Sequence, residues 1–131
     1  MPDSNPVRDR VVEYLAALSA HDVDRIVACV TEDFVNEHTS ALGSTSNGRD
    51  VYRGRLPGFL GQFENIRYEV VDTIVEGERA AARYRMTAMY EDHALDIPGV
   101  MLFVTRDGLI AQRTDVWDSL TFLRQTGMAP E

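Results

Sequence analysis

Residues 33–39 read Asp-Phe-Val-Asn-Glu-His-Thr, and their pattern is that of a strand. Alternate residues of an extended chain point to the same side, so Phe34, Asn36 and His38 share a face. Two amphipathic helical stretches precede this segment, and each needs a sheet face to cover. If the Phe34 face turns inward, an amide and an imidazole go inward with it. Such groups are buried only when something satisfies them: a backbone partner, or a ligand.

Upstream, "SNPVRDRVVEYLAALSA" opens as a helix. Ser4 or Asn5 can cap it, and Pro6 suits its first turn. Val7, Val11, Tyr14, Leu15 and Leu18 recur at helical spacing. "HDVDRIVACVTED" is a second, short helix capped by Asp22, with Val23, Ile26, Val27 and Val30 on its apolar face. Downstream, "ALGSTSNG" reads as a loop. "RDVYRGRLPGFLGQF" begins as a helix and is expected to break or bend around Pro57 and Gly58.

The period then changes. "NIRYEVVDTIV" alternates and ends at the turn "EGE", and "RAAARYRMTAMY" alternates and ends at "EDH". "GVMLFVT" is a more continuous apolar strand. The turn "RDG" leads from it into "LIAQRTDVW", a good hairpin signal. "DSLTFLRQTG" is a terminal helix capped by Asp118 or Ser119, with Gly127 near its stop. Three helices around one strand, then four meandering strands and a helix, make an α+β domain over residues 1–131, with helices at one side of an antiparallel sheet.

Composition narrows the function. The chain has 131 residues, enough for one domain with a real core. Its net charge is −8, from 21 acidic and 13 basic residues, which disfavours nucleic acid and anionic membrane as partners. Every basic residue is arginine. Without lysine, Schiff-base chemistry and a Walker A phosphate loop are excluded. No apolar run approaches a membrane span, and the polar start "MPDSNPVRDR" has no signal-peptide core. Cys29, the one cysteine, reads as a small core residue of a cytoplasmic chain. His21, His38 and His93 lack the spacing of a metal site. "STSNG" is not a nucleophile elbow, because Ser44 stands where its first glycine belongs and no strand leads into it.

The order of elements resembles the nuclear transport factor 2-like superfamily, and within it the SnoaL-like polyketide cyclases. "YLAALSAHDVDRIVACVTEDFV" resembles the superfamily's opening helix pair and first strand. "FVNEHTS" resembles the SnoaL-like strand that carries a histidine. "DGLIAQRTDVWDSLTFLRQTG" is similar to that group's last strand and tail, with an aspartate before an aromatic and a Gln-x-Gly near the end. The resemblance implies a curved sheet wrapped around helices, forming a cone with one pocket for a small hydrophobic, carbonyl-bearing molecule. It also implies a homodimer packed through the outer sheet face. In keeping with a dimer, the later strands carry apolar residues on both faces: Val70 and Val71, Ile74 and Val75, Met86 and Met89, Leu102 and Phe103.

His38 falls where the resemblance to ketosteroid isomerases places a carboxylate base, and an imidazole is a reasonable proton acceptor there. Asp115 sits two residues before Trp117, with Arg113 on the same side. It is either half of an Asp–Arg pair on a solvated face or a pocket acid. In the SnoaL-like cyclases the equivalent aspartate is the general acid/base, and limonene epoxide hydrolases are similar there. A carboxyl walled by Trp117 is desolvated and able to hold or deliver a proton near neutrality. Asn36 either orients a substrate carbonyl or satisfies a backbone group. Tyr14 falls on the oxyanion tyrosine of ketosteroid isomerases, or is simply core. Tyr52, Phe59, Phe63, Tyr84, Met86, Met101, Phe103 and Trp117 are candidates for the pocket wall. Two departures limit the resemblance. Met101 stands near the isomerases' second acid, and Arg85 replaces the second aspartate of the epoxide hydrolases.

Two functions follow. One is a cofactor-independent enzyme that moves a proton next to a carbonyl, in an aldol-type cyclisation or isomerisation, with His38 and Asp115 as the acid/base pair. The other is a non-catalytic binding or dimerisation module of the same fold. An epoxide hydrolase with a rearranged site is a third reading.

Overall fold

The structure is a computed structural model and describes residues 5–40 and 42–129. The chain runs α1 (Pro6–Ser19), α2 (Val23–Val27), β1 (Val30–His38), β2 (Ser46–Asn47), α3 (Arg49–Gln62), β3 (Glu64–Glu76), β4 (Arg79–Tyr90), β5 (His93–Arg106), β6 (Leu109–Trp117) and α4 (Ser119–Gln125). Asn5 caps α1, its Oδ1 accepting from the Val7 and Arg8 amides at 3.0 and 3.1 Å. The alternative cap, Ser4, lies outside the described residues. Asp22 and Asp118 cap α2 and α4 in the same way, each satisfying an amide that the helix leaves unpaired.

Six strands form one curled, unclosed sheet in the order β2-β1-β6-β5-β4-β3. The sheet is not antiparallel throughout. β1 and β6 run parallel, with Asn36 opposite Arg113 and His38 opposite Asp115. The local alternation of β1 cannot reveal this, because its partner is the last strand of the chain. The expected meander accounts for the rest: β3, β4, β5 and β6 pair antiparallel in sequence order.

Val30, placed by the sequence reading on the second helix, opens β1 and pairs with Ile110 of β6, since α2 ends at Val27. Two later boundaries also differ. First, α3 continues through Pro57 and Gly58. Both lie on the exposed side of the helix, so water can satisfy the Arg53 carbonyl that Pro57 leaves without a donor. Second, β5 starts at His93, well before Gly99. Pro98 is tolerated because pairing with β6 stops at Gly99–Trp117, leaving His93–Pro98 with β4 as the paired neighbour. Glu91 and Asp92 both take positive φ and close this hairpin in two residues, as Asp107 and Gly108 do for the next. The expected 41–48 loop contains β2, which pairs with Val35 and Asn36.

The core lies between α1 and the inner sheet face. Val11, Tyr14, Leu15 and Leu18 of α1 are buried, as are Phe34, Ile66, Met101, Phe103 and Ile110 of the sheet. Phe34 packs edge-to-face on Tyr52 of α3, with ring centroids 4.9 Å apart. This fixes α3 over one end of β1 and leaves a space beside it. The outer face carries Ile74, Leu102, Val104 and Val116 in exposed positions. No helix among the described residues is long and apolar enough to cross a membrane.

Candidate active site

The inner face of the sheet is polar in one place. Across β1, β6, β5 and β4 the register places Asn36 beside Arg113 and His38 beside Asp115; Asp115 in turn lies beside Met101, and Tyr84 beside Gly99. Arg113 is 4% exposed and Asp115 5%. A buried guanidinium is costly unless its donors are used. Here Nη2 donates to Asp115 Oδ2 at 3.0 Å, Nη1 to Asn36 Oδ1 at 2.8 Å, and Nε to the Met101 sulfur at 3.3 Å. The guanidinium also sits 5.8 Å from the Tyr14 ring centroid. Burial opposes its charge, yet Tyr14, Asp115, Tyr52 and Tyr68 outweigh that and raise its pKa.

Asp115 receives a second donor. The Tyr84 hydroxyl reaches Oδ1 at 2.7 Å. Burial, and then Asp115 itself, raises the Tyr84 pKa, so the phenol stays neutral and donates. The two alternatives for Asp115 are therefore combined. It is paired with Arg113, and the pair is buried in the site. Its immediate polar neighbours are a guanidinium and a phenol, where an aromatic wall at Trp117 was expected. Gly99 makes this possible. A Cβ at that position would lie 2.3 Å from Tyr84 Oη and 2.4 Å from Cζ.

His38 is the polar residue the network leaves over. Its Nδ1 is buried without a hydrogen-bond partner, as is Ser46 Oγ. Burial, then the charge of Arg113, lowers its pKa from the ordinary 6.5; Asp115 pulls the other way and Arg55 adds a smaller downward push. The imidazole is therefore held neutral. The chain passes close by at Gly43, where a Cβ would come within 2.5 Å of His38 Cβ.

These groups open onto a cavity of about 970 Å³ lined by Asn36, His38, Arg113 and Asp115 at its polar end. Tyr52, Phe59, Tyr84 and Trp117 line it too, as do Phe63, Met86 and Tyr68. Tyr14, Met101 and Phe103 do not. They are fully buried behind it: Tyr14 shares a short hydroxyl–hydroxyl hydrogen bond with Tyr52, and Phe103 packs on the Tyr14 ring. Tyr14 is thus a prop beneath Arg113 in this structure, away from the cavity surface. Arg85 faces outward in an ion pair with Asp96. Among the described residues no cluster of His, Cys, Asp or Glu could hold a metal ion. Gly99, Gly43 and Arg55 were not singled out from sequence. Arg55 had a signal, since its spacing from Tyr52 and Phe59 puts all three on one side of α3.

Solved structures share this architecture. A protein of ketosteroid isomerase-like fold from Catenulispora acidiphila, in complex with trimethylamine, superposes with a TM-score of 0.83 at 19% identity, covering 92% of this chain and 93% of that one. A protein assigned as a SnoaL-like polyketide cyclase from Jannaschia sp. gives 0.84 at 19% identity, with 100% and 97% covered. TerC, co-crystallised with polyporic acid, gives 0.83 at 17% identity, with 94% and 99% covered. These likenesses are of fold. The SnoaL-like domain family matches residues 11–113, and the chain belongs to that family. The match stops two residues short of Asp115. A comparison with curated proteins gave no match.

Two outcomes test this geometry. Gly99→Ala should displace the Tyr84 ring and cost about 1–3 kcal/mol in denaturant unfolding. Combining it with Tyr84→Ala should cost less than the sum of the singles, because the clash is gone. The second concerns pH. The His38 pKa is lower folded than unfolded, so as pH falls through about 6.5 the unfolded chain takes the proton first. The His38 contribution to stability is complete above that pH and is lost below it. Melting temperatures measured from pH 7.5 to 5 should fall less steeply for His38→Gln than for the wild type.

Proposed function

We propose that this chain is a cofactor-independent enzyme that moves a proton next to the carbonyl of a small hydrophobic molecule, in an aldol-type cyclisation or an isomerisation. The observation that carries this is the pairing of His38 with Asp115 across the parallel β1–β6 pair, both lining one open cavity. His38 is the base. Its imidazole is neutral and able to accept. It takes the proton from the carbon beside the carbonyl, and the C–H electron pair moves towards the carbonyl oxygen. Asn36 Oδ1 is already held by Arg113, which leaves its NH2 group to donate to that oxygen. This donor role falls to Asn36, since the Tyr14 hydroxyl is engaged with Tyr52. Asp115 stabilises the imidazolium by its charge, held in place by Arg113 and Tyr84. The imidazolium then returns its proton, to the alkoxide formed in an aldol step or to a different carbon in an isomerisation.

The second reading, a binding module, has one observation in its favour. Asn36, Arg113, Asp115 and Tyr84 all bond one another. Against it stand the open cavity and the unpartnered His38. The epoxide hydrolase reading has less support, because Asp115 is the one carboxylate among the described lining residues. That two structurally similar proteins were crystallised with small organic molecules agrees with a cavity that takes one.

Deuterium uptake from D2O separates the readings. Hydrophobic aryl methyl ketones such as 2-acetylnaphthalene are followed by proton NMR. The enzyme reading expects exchange of the methyl protons above the buffer rate, slowed roughly 10²- to 10⁴-fold in His38→Gln. Asp115→Asn should slow it too, while also lowering stability, because it removes the counter-charge of a buried guanidinium. The double variant should be little worse than the poorer single. Ketones that bind, seen by Trp117 fluorescence, yet never exchange would leave the binding module standing.

We also propose a homodimer through the outer sheet face. Leu102 lies there between Ala81 and Thr114, with Val104, Val116 and Ile74 around it, all exposed. Light scattering at micromolar concentration should give twice the chain mass, and Leu102→Glu should halve it. A monomeric mass for the wild type would end the proposal.

A further inference from the structure

The cavity has a second charged feature at its mouth. Arg55 of α3 lines it, and its side chain is solvent-accessible. Nη1 donates to Ser44 Oγ and to the Thr45 carbonyl, both at 3.3 Å. These two bonds use one edge of the guanidinium and hold it against the 43–45 segment. Among the described residues, Nε and Nη2 have no partner. That free edge is the fork that fits a carboxylate with two parallel hydrogen bonds.

Two arginines line the cavity, and their pairing differs. Arginines 25, 53, 83, 85, 106 and 113 each have a carboxylate partner. Arg55 has none among the described residues. The carboxylate that lines the cavity, Asp115, is already paired with Arg113. Among the described residues the cavity lining therefore carries one uncompensated positive charge, in a protein of net charge −8. Elsewhere such a protein repels anions, and here it presents a preoriented site for one. The same charge bears on His38, after burial and Arg113, so its field reaches the polar end.

We propose that the ligand is a carbonyl compound that also carries a carboxylate, and that Arg55 binds this carboxylate at the cavity mouth while the carbonyl meets His38 and Asn36. This rests on the reading that the cavity is the ligand site. Arg55 is then a specificity-determining residue. It favours free acids over their neutral esters and amides.

The test uses a matched pair of probes, 4-(2-naphthyl)-4-oxobutanoate and its primary amide, titrated calorimetrically into the dimeric or monomeric protein as it occurs. The acid should bind at least tenfold more tightly than the amide, and added salt should narrow the gap. Arg55→Gln should weaken the acid about tenfold and leave the amide's affinity as it was; Arg55→Lys, with charge but no fork, should fall between. A purely structural role for Arg55, anchoring Ser44 and Thr45, would weaken acid and amide alike and overturn the proposal. So would equal binding of the two probes by the wild type, with the cavity reading left intact. Failure of both probes to bind would overturn that reading and this proposal together.

Discussion

The Arg113 guanidinium is the constraint around which the rest is arranged. A permanent charge sits at the bottom of the sheet with almost no access to water. It is tolerable because four elements meet it: Asn36 from β1, Asp115 from its own strand, the Met101 sulfur from β5, and the Tyr14 ring from α1. Removing one partner of such a buried pair typically costs about 3–5 kcal/mol. The parallel register of β1 against β6 is therefore specified by charge as well as by apolar burial. A slip of one residue would send Asn36 outward and leave a guanidinium donor unpaired.

The same arrangement settles which groups are free for a ligand. Arg113 and Tyr84 occupy Asp115, and Arg113 fixes the Asn36 oxygen. The rigid scaffold thus uses up the strongest donors and acceptors. His38 is left neutral, with one nitrogen unmatched, on the rim of the network. A neutral side chain that the surrounding network leaves uncommitted is available to accept a proton.

Much of this was legible in the sequence. Caps at Asn5, Asp22 and Asp118, the switch from helical to alternating period after α3, and the Asp107-Gly108 turn act over a few residues, so local patterns expose them. That Asn36 shares a face with His38, and Arg113 with Asp115, followed from alternation alone. What stayed hidden depends on partners distant in the chain. The parallel β1–β6 pairing is one case. The continuation of α3 through Pro57 depends on which side of the helix meets water. Gly99 gains its meaning from a tyrosine on the neighbouring strand. Arg113 was the hardest to place, because a charged residue on a late strand reads equally well as solvated, and its burial is decided by a cluster that no single segment contains.

The parallel β1–β6 pair bears on how the molecule comes into being. Asn36 and Arg113 are separated by 77 positions in the chain. During synthesis β1 leaves the ribosome early and waits, its inner side unmatched, until the last strand arrives. Contacts of such long sequence separation are slow to form, because the entropy of closing the intervening loop is lost before any bond rewards it. The meander of β3 to β6 can assemble first, from neighbouring hairpins. The imidazole and the carboxylate then meet only in the closing event, so a nascent or partly folded chain has the helices and the hairpins but not yet the polar end of the cavity.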